Sequence, residues 1–140
     1  MKNCRLLLAL AAIMVWTASV SARDDGGPKY KAPPEIVPTL PKICWWLYMD
    51  NVPNTSEFNI KDCGNFYNHY CPGLVRMKLA EREKTIAARM QHLTQAKREF
   101  EYTLHFTEQF PECSVRTPAK MNLERIKFQM DMVKWNVRKR

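Results

Sequence analysis

Residues 74–110 read LVRMKLAEREKTIAARMQHLTQAKREFEYTLHFTEQF, a run of 37 residues with no glycine and no proline. Alanine, glutamate, lysine, arginine, glutamine and methionine dominate it, and these side chains lose little freedom in a helix. Apolar residues recur at Leu79, Ile86, Met90, Leu93, Phe100 and Leu104, with Ala96 in the gap, which is the three-and-four spacing of a helical seam. The stretch predicts one unbroken helix over 74–110, roughly 55 Å long at about 1.5 Å per residue. So small a chain cannot enclose such a rod, and the fold follows from what can lie along it.

Pro111 ends the run, and residues 112–120, with Pro118, read as a connector. Leu123, Ile126, Met130, Val133 and Val137 then repeat at helical spacing, while Phe128, Met132 and Trp135 widen the apolar face. This predicts a C-terminal helix over about 121–138, packed antiparallel on the long helix and covering about half of it. Before the rod, Pro41 stands where a helix starts, and Ile43 to Met49 are almost wholly apolar, predicting a short helix over about 42–51. Residues 58–70 are aromatic and amide-rich, and Pro72-Gly73 is expected to stop whatever precedes it. The fold class expected is all-α, a helical hairpin with a short N-terminal helix.

The first 22 residues read as an export signal. Lys2 and Arg5 are basic, an unbroken apolar stretch follows from Leu6 to Trp16, and Val20-Ser21-Ala22 offers small residues for cleavage. The apolar stretch is shorter than the roughly 20 residues a bilayer span needs. Residues 23–41 hold two glycines and five prolines and are expected to form an extended or disordered arm, leaving 42–140 as the folded domain. The expected location is secreted and extracellular.

Export allows thiols to pair. Once Cys4 leaves with the signal, Cys44, Cys63, Cys71 and Cys113 suit two disulfides with three connectivities. An unbroken rod would hold Cys71 and Cys113 tens of Å apart, so that pairing is excluded first. Cys44 with Cys113 and Cys63 with Cys71 is the preferred arrangement; Cys44 with Cys71 and Cys63 with Cys113 needs the intervening segment reversed. The triplet Asn54-Thr55-Ser56 is an acceptor for N-linked glycan.

The net charge is +8. Without Lys2 and Arg5 it falls to +6, which favours acidic partners such as membranes, glycans or sialylated proteins. Nucleic acid is not expected as a partner. No Gly-rich phosphate loop, nucleophile elbow or zinc-protease motif occurs, so no enzyme activity, catalytic residue, metal or cofactor is expected. His92 and His105 read as solvated on a polar helix face. The distinctive charged feature is the C-terminus, where Lys134, Arg138, Lys139 and Arg140 surround Trp135 as a candidate contact for a partner or an anionic membrane. Lys139-Arg140 is also a candidate site for basic-residue proteases.

Insect odorant-binding proteins are likewise small, secreted, helical and disulfide-bonded, but they place two cysteines three residues apart, whereas seven residues separate Cys63 and Cys71 here. The resemblance is therefore one of class. In composition and architecture the chain is similar to secreted proteins of seminal fluid or saliva. The function expected is an extracellular interaction protein that presents a helical surface to a receptor or another secreted protein. A cationic membrane-active or defence protein and a carrier of small apolar ligands are the alternatives, and an uncovered rod also admits a homodimer.

Overall fold

The computed structural model describes residues 30–53, 62–64 and 66–139. The export signal and the glycan acceptor Asn54 lie outside the described residues, as does Arg140. Among the described residues the fold is all-helical: α1 (Trp45–Tyr48), α2 (Tyr70–Arg82), α3 (Ile86–Phe106) and α4 (Arg116–Arg138), with short 3-10 turns at Val37–Thr39, Lys42–Cys44 and Phe66–His69. No described helix is long and apolar enough to cross a membrane.

The predicted rod is broken. Glu83 leaves the helix with ψ near 130°, and Thr85 is extended, its Oγ1 accepting the amide of Ala88 at 3.2 Å to start α3 afresh. That cap contributes about 1 kcal/mol. Further contacts hold the corner, where Arg89 donates to the Glu83 carbonyl at 3.3 Å and His92 Nε2 lies 3.4 Å from the Glu83 carboxylate. His92 is thus a corner residue rather than a solvated one, whereas His105 is exposed. Propensity alone favours continuing the helix, but reversal folds α2 back on α3 and buries both apolar faces. Burial at about 25 cal/mol per Å² outweighs a few tenths of a kcal/mol of propensity per residue.

Gly73 sets the spacing of the resulting hairpin. A methyl group there would sit 2.9 Å from two ring atoms of Phe100, so only glycine lets the wholly buried Phe100 ring lie against the α2 backbone. Tyr70 flanks the same ring at 5.8 Å between centroids. Pro72 and Gly73 therefore sit inside the first turn of α2 instead of ending an element. Proline is tolerated at its third residue because that amide has no intrahelical partner. Pro118 repeats this geometry as the third residue of α4, so α4 begins at Arg116, five residues before the expected start.

α4 packs antiparallel on α3. Ala119, Leu123 and Ile126 are buried, and Arg116 donates to the Leu104 carbonyl at 3.1 Å and to Thr107 Oγ1 at 3.2 Å. That places a cation on the carbonyl end of α3, where the helix dipole favours it. The N-terminal segment is corrected in two ways. The helix expected over 42–51 is a 3-10 turn followed by the single turn of α1, ending at Met49. From Tyr30 onward the expected arm is packed: Ile36 is fully buried, the Tyr30 amide donates to the Leu47 carbonyl at 3.0 Å, and Glu35 pairs with Arg82 at 2.6 Å.

Reversal at Glu83 also decides the cysteines. It brings the start of α2 and the end of α3 to the same end of the bundle, where Cys44 bonds Cys71 and Cys63 bonds Cys113, with Cα separations of 5.5 and 4.6 Å. The preferred pairing of Cys44 with Cys113 and Cys63 with Cys71 is overturned because it assumed a rod that kept those ends apart. Beside the second bridge, Asp62 accepts the Ser114 amide at 3.0 Å.

Gly73→Ala should lower stability by about 1–3 kcal/mol despite alanine's better helix propensity, through overpacking against Phe100. Urea titration checks this, and Gly73→Ala combined with Phe100→Leu should cost less than the two changes summed. Non-reducing peptide mass spectrometry should recover Cys44–Cys71 and Cys63–Cys113; a Cys63–Cys71 peptide would contradict the fold.

Candidate functional site

α4 carries two apolar stripes, of which one is covered. Ala119, Leu123 and Ile126 face α3, with Met130 partly buried behind them. At about 100° per residue, Met121, Phe128, Met132 and Trp135 fall within about 60° of one another on the opposite side of the helix. All four are exposed, from Met132 at 44% to Met121 at 69%. The residues that widened the apolar face in sequence are thus the ones packing leaves in water. Beyond Ile126 no residue of α4 is buried, and Val137, assigned to the seam, is also exposed.

Alongside this stripe run Lys120, Lys127, Lys134 and Arg138, spaced by seven, seven and four residues and so lying on one face. Within α4 there are six basic residues against two acidic ones, Glu124 and Asp131. Each acid is paired locally, Glu124 with Lys127 at 2.7 Å and Asp131 with Lys134 at 3.3 Å. Lys139 Nζ stands 4.6 Å from the centre of the exposed Trp135 ring, a cation–π contact. Of the residues marked in sequence, Lys134, Trp135, Arg138 and Lys139 share this exposed end of α4.

On the α2 side, Phe128, Met132 and Val133 wall an open groove of about 410 Å³ with Ala80 and Leu93 across from them. Arg125 reaches Glu81 of α2 at 3.5 Å beside it. The apolar surface therefore curls from the exposed stripe into the gap between two helices. Comparison with protein-family models, curated proteins and solved structures finds no match. The site is accordingly read from its chemistry alone.

The face combines exposed apolar side chains with a flanking row of lysines. Among the described residues no three His, Cys, Asp or Glu side chains converge as a metal-binding group. Cys44, Cys63, Cys71 and Cys113 are all in disulfides, so Cys71 beside His69 carries no free thiol. His69 instead stacks on Tyr102 at 3.8 Å, and its Nδ1 lies 2.6 Å from Glu99. Sequence reasoning missed Met121 and, of the basic stripe, Lys120 and Lys127. A heptad count along α4 would have found both, because the spacing of seven recurs in each.

Phe128→Ser and Trp135→Ser should each change the unfolding free energy by less than about 0.5 kcal/mol, since both side chains stand in water. Ile126→Ala, one stripe away and fully buried, should cost about 2–5 kcal/mol. Urea unfolding of the three variants measures the division between the faces.

Proposed function

We propose that this protein is an extracellular interaction protein that docks the exposed face of α4, with its adjoining groove, onto an acidic amphipathic segment of a partner protein. The observation that carries the reading is the pairing of an uncovered Met121, Phe128, Met132 and Trp135 stripe with a flanking basic stripe. Exposed aromatic and methionine side chains rimmed by charge have the composition of an interface core and its rim. Basic excess on α4 selects against a second copy, because pairing two such faces sets like charges side by side. Export is part of the same proposal: two disulfides persist in an oxidising compartment, and the first 22 residues have the form of a signal.

Anionic membrane binding is the second reading, favoured by a tryptophan-bearing apolar stripe beside lysines. It is weaker because Glu124 and Asp131 stand between the two stripes and would be pressed into anionic headgroups. A protein partner can meet both signs of charge in register.

The test is photo-crosslinking from position 131, exposed beside the stripe, of the secreted chain in native extracellular fluid, followed by mass spectrometry and affinity measurement with the captured partner. Acidic proteins should be captured, binding should weaken as salt rises, and Trp135→Ser should reduce affinity about thirtyfold, as for a central aromatic anchor. Specific capture that is indifferent to Phe128→Ser and Trp135→Ser would reject this face. Salt-sensitive sedimentation with anionic vesicles and no protein crosslink would turn the reading to the membrane.

A further inference from the structure

A second concavity of about 210 Å³ lies between the Tyr30 segment, α1, α2 and α3, and no α4 residue lines it. It is smaller than the roughly 300–1,000 Å³ of sites for drug-sized ligands. Tyr30 and Tyr48 form an aromatic corner, with ring centres 6.2 Å apart and planes at 56°. Pro72, Val75 and Leu79 supply an apolar wall from α2.

Its charges are unevenly satisfied. Glu99 already has a close neighbour in His69 Nδ1 at 2.6 Å. Among the described residues neither Lys31 nor Arg76 has a hydrogen bond or ion pair, and the Tyr48 hydroxyl has no hydrogen-bond partner. Burial, reinforced by the nearby Tyr30 hydroxyl and Glu99 and partly opposed by Arg76, holds the Tyr48 phenol well above its ordinary range. It is therefore an O–H donor at any physiological pH. Two cations and a neutral donor without protein acceptors border a space too small for a peptide, and a single anionic group there could take up all three in place of water.

We propose that this pocket binds a small organic anion, its acid group held by Arg76, Lys31 and the Tyr48 hydroxyl and its short apolar body seated against Val75, Leu79 and Pro72. Arginine suits the role because its planar fork matches a carboxylate. A purely cationic ligand would meet like charge at Lys31 and Arg76 and find as its only carboxylate Glu99, already engaged by His69, while a neutral apolar one would gain no charge contact. This site is independent of the α4 surface, so the two readings stand or fall separately.

Isothermal titration of the full secreted chain with phenylacetate, benzyl alcohol, benzylamine and inorganic sulfate tests the proposal. Saturable one-to-one binding of phenylacetate is expected, at least tenfold tighter than each of the other three. Arg76→Gln should weaken it about tenfold or more and Tyr48→Phe several-fold, with circular dichroism and melting temperature unchanged; Lys84→Gln, exposed on the α2–α3 corner, should leave it unaltered. Absence of saturable phenylacetate binding would overturn the proposal, as would affinity indifferent to Arg76→Gln. Tighter binding of benzylamine would show a cation site instead, and sulfate binding as tightly as phenylacetate would remove the role of the apolar wall.

Discussion

The contact of the Phe100 ring with the bare backbone of Gly73 is the interaction on which the rest of the structure depends. It allows α2 and α3 to approach closely enough to share one core, and that closeness makes reversal at Glu83 preferable to a continued helix. Once the chain reverses, the beginning of α2 and the end of α3 stand together. Both disulfides then form at that end, and Arg116 can reach back to the last turn of α3 and fix the entry of α4. A bulky residue at position 73 would oppose each of these consequences at once.

Seen from the sequence, the helical class and most of the core of α3 were legible because Leu93, Ala96 and Phe100 obey a strict periodicity. The corner was not. It contains no glycine or proline, and Thr85 lacks the glutamate three residues on that would complete a capping box, Ala88 standing there instead. Tertiary packing overrode propensity at that point, and the error spread to the cysteine pairing, which rested on the length of the rod. Pro72 and Pro118 misled in the opposite direction: each reads as a stop, yet each occupies the first turn of a helix, where proline costs little. At the candidate site, the basic tail around Trp135 was readable from composition. Of the α4 seam, Leu123, Ile126 and Met130 were legible from their spacing; Phe128, Met132 and Trp135, read as widening that same face, stand on the opposite side of the helix, and Val137 extends the seam past the end of the core.

Charge on α4 acquires meaning only once one side of the helix is covered. Had the Phe128 and Trp135 side faced α3, the lysines from Lys120 to Lys134 would flank a buried seam and merely solubilise the helix. Because the opposite side is buried, the same lysines border exposed apolar surface and bias what can cover it. The local pairs with Glu124 and Asp131 moderate this bias, since each exposed pair contributes little to stability but leaves alternating signs along the edge. Under the proposed docking, a partner would have to match this edge in register as well as in net charge.

The disulfides and the exposed apolar stripe of α4 stand toward opposite ends of the bundle. In a domain this small, closing loops of 27 and 50 residues by disulfides constrains the unfolded chain by about 4 kcal/mol each in the chain-entropy account, a large share of the stability such a domain can have. That contribution reduces the need for α4 to bury its whole length. Its first half is anchored beside the bridges through Ala119, Leu123 and Ile126, while its second half reaches the α2–α3 corner without burying a residue. Local opening concentrates where few apolar contacts hold the chain, so the end of α4 that carries Phe128, Met132 and Trp135 is also the end freest to adjust. If the proposed interface lies there, it sits at the weakly held end of a cross-linked bundle whose core around Phe100 is closed by packing at the other end.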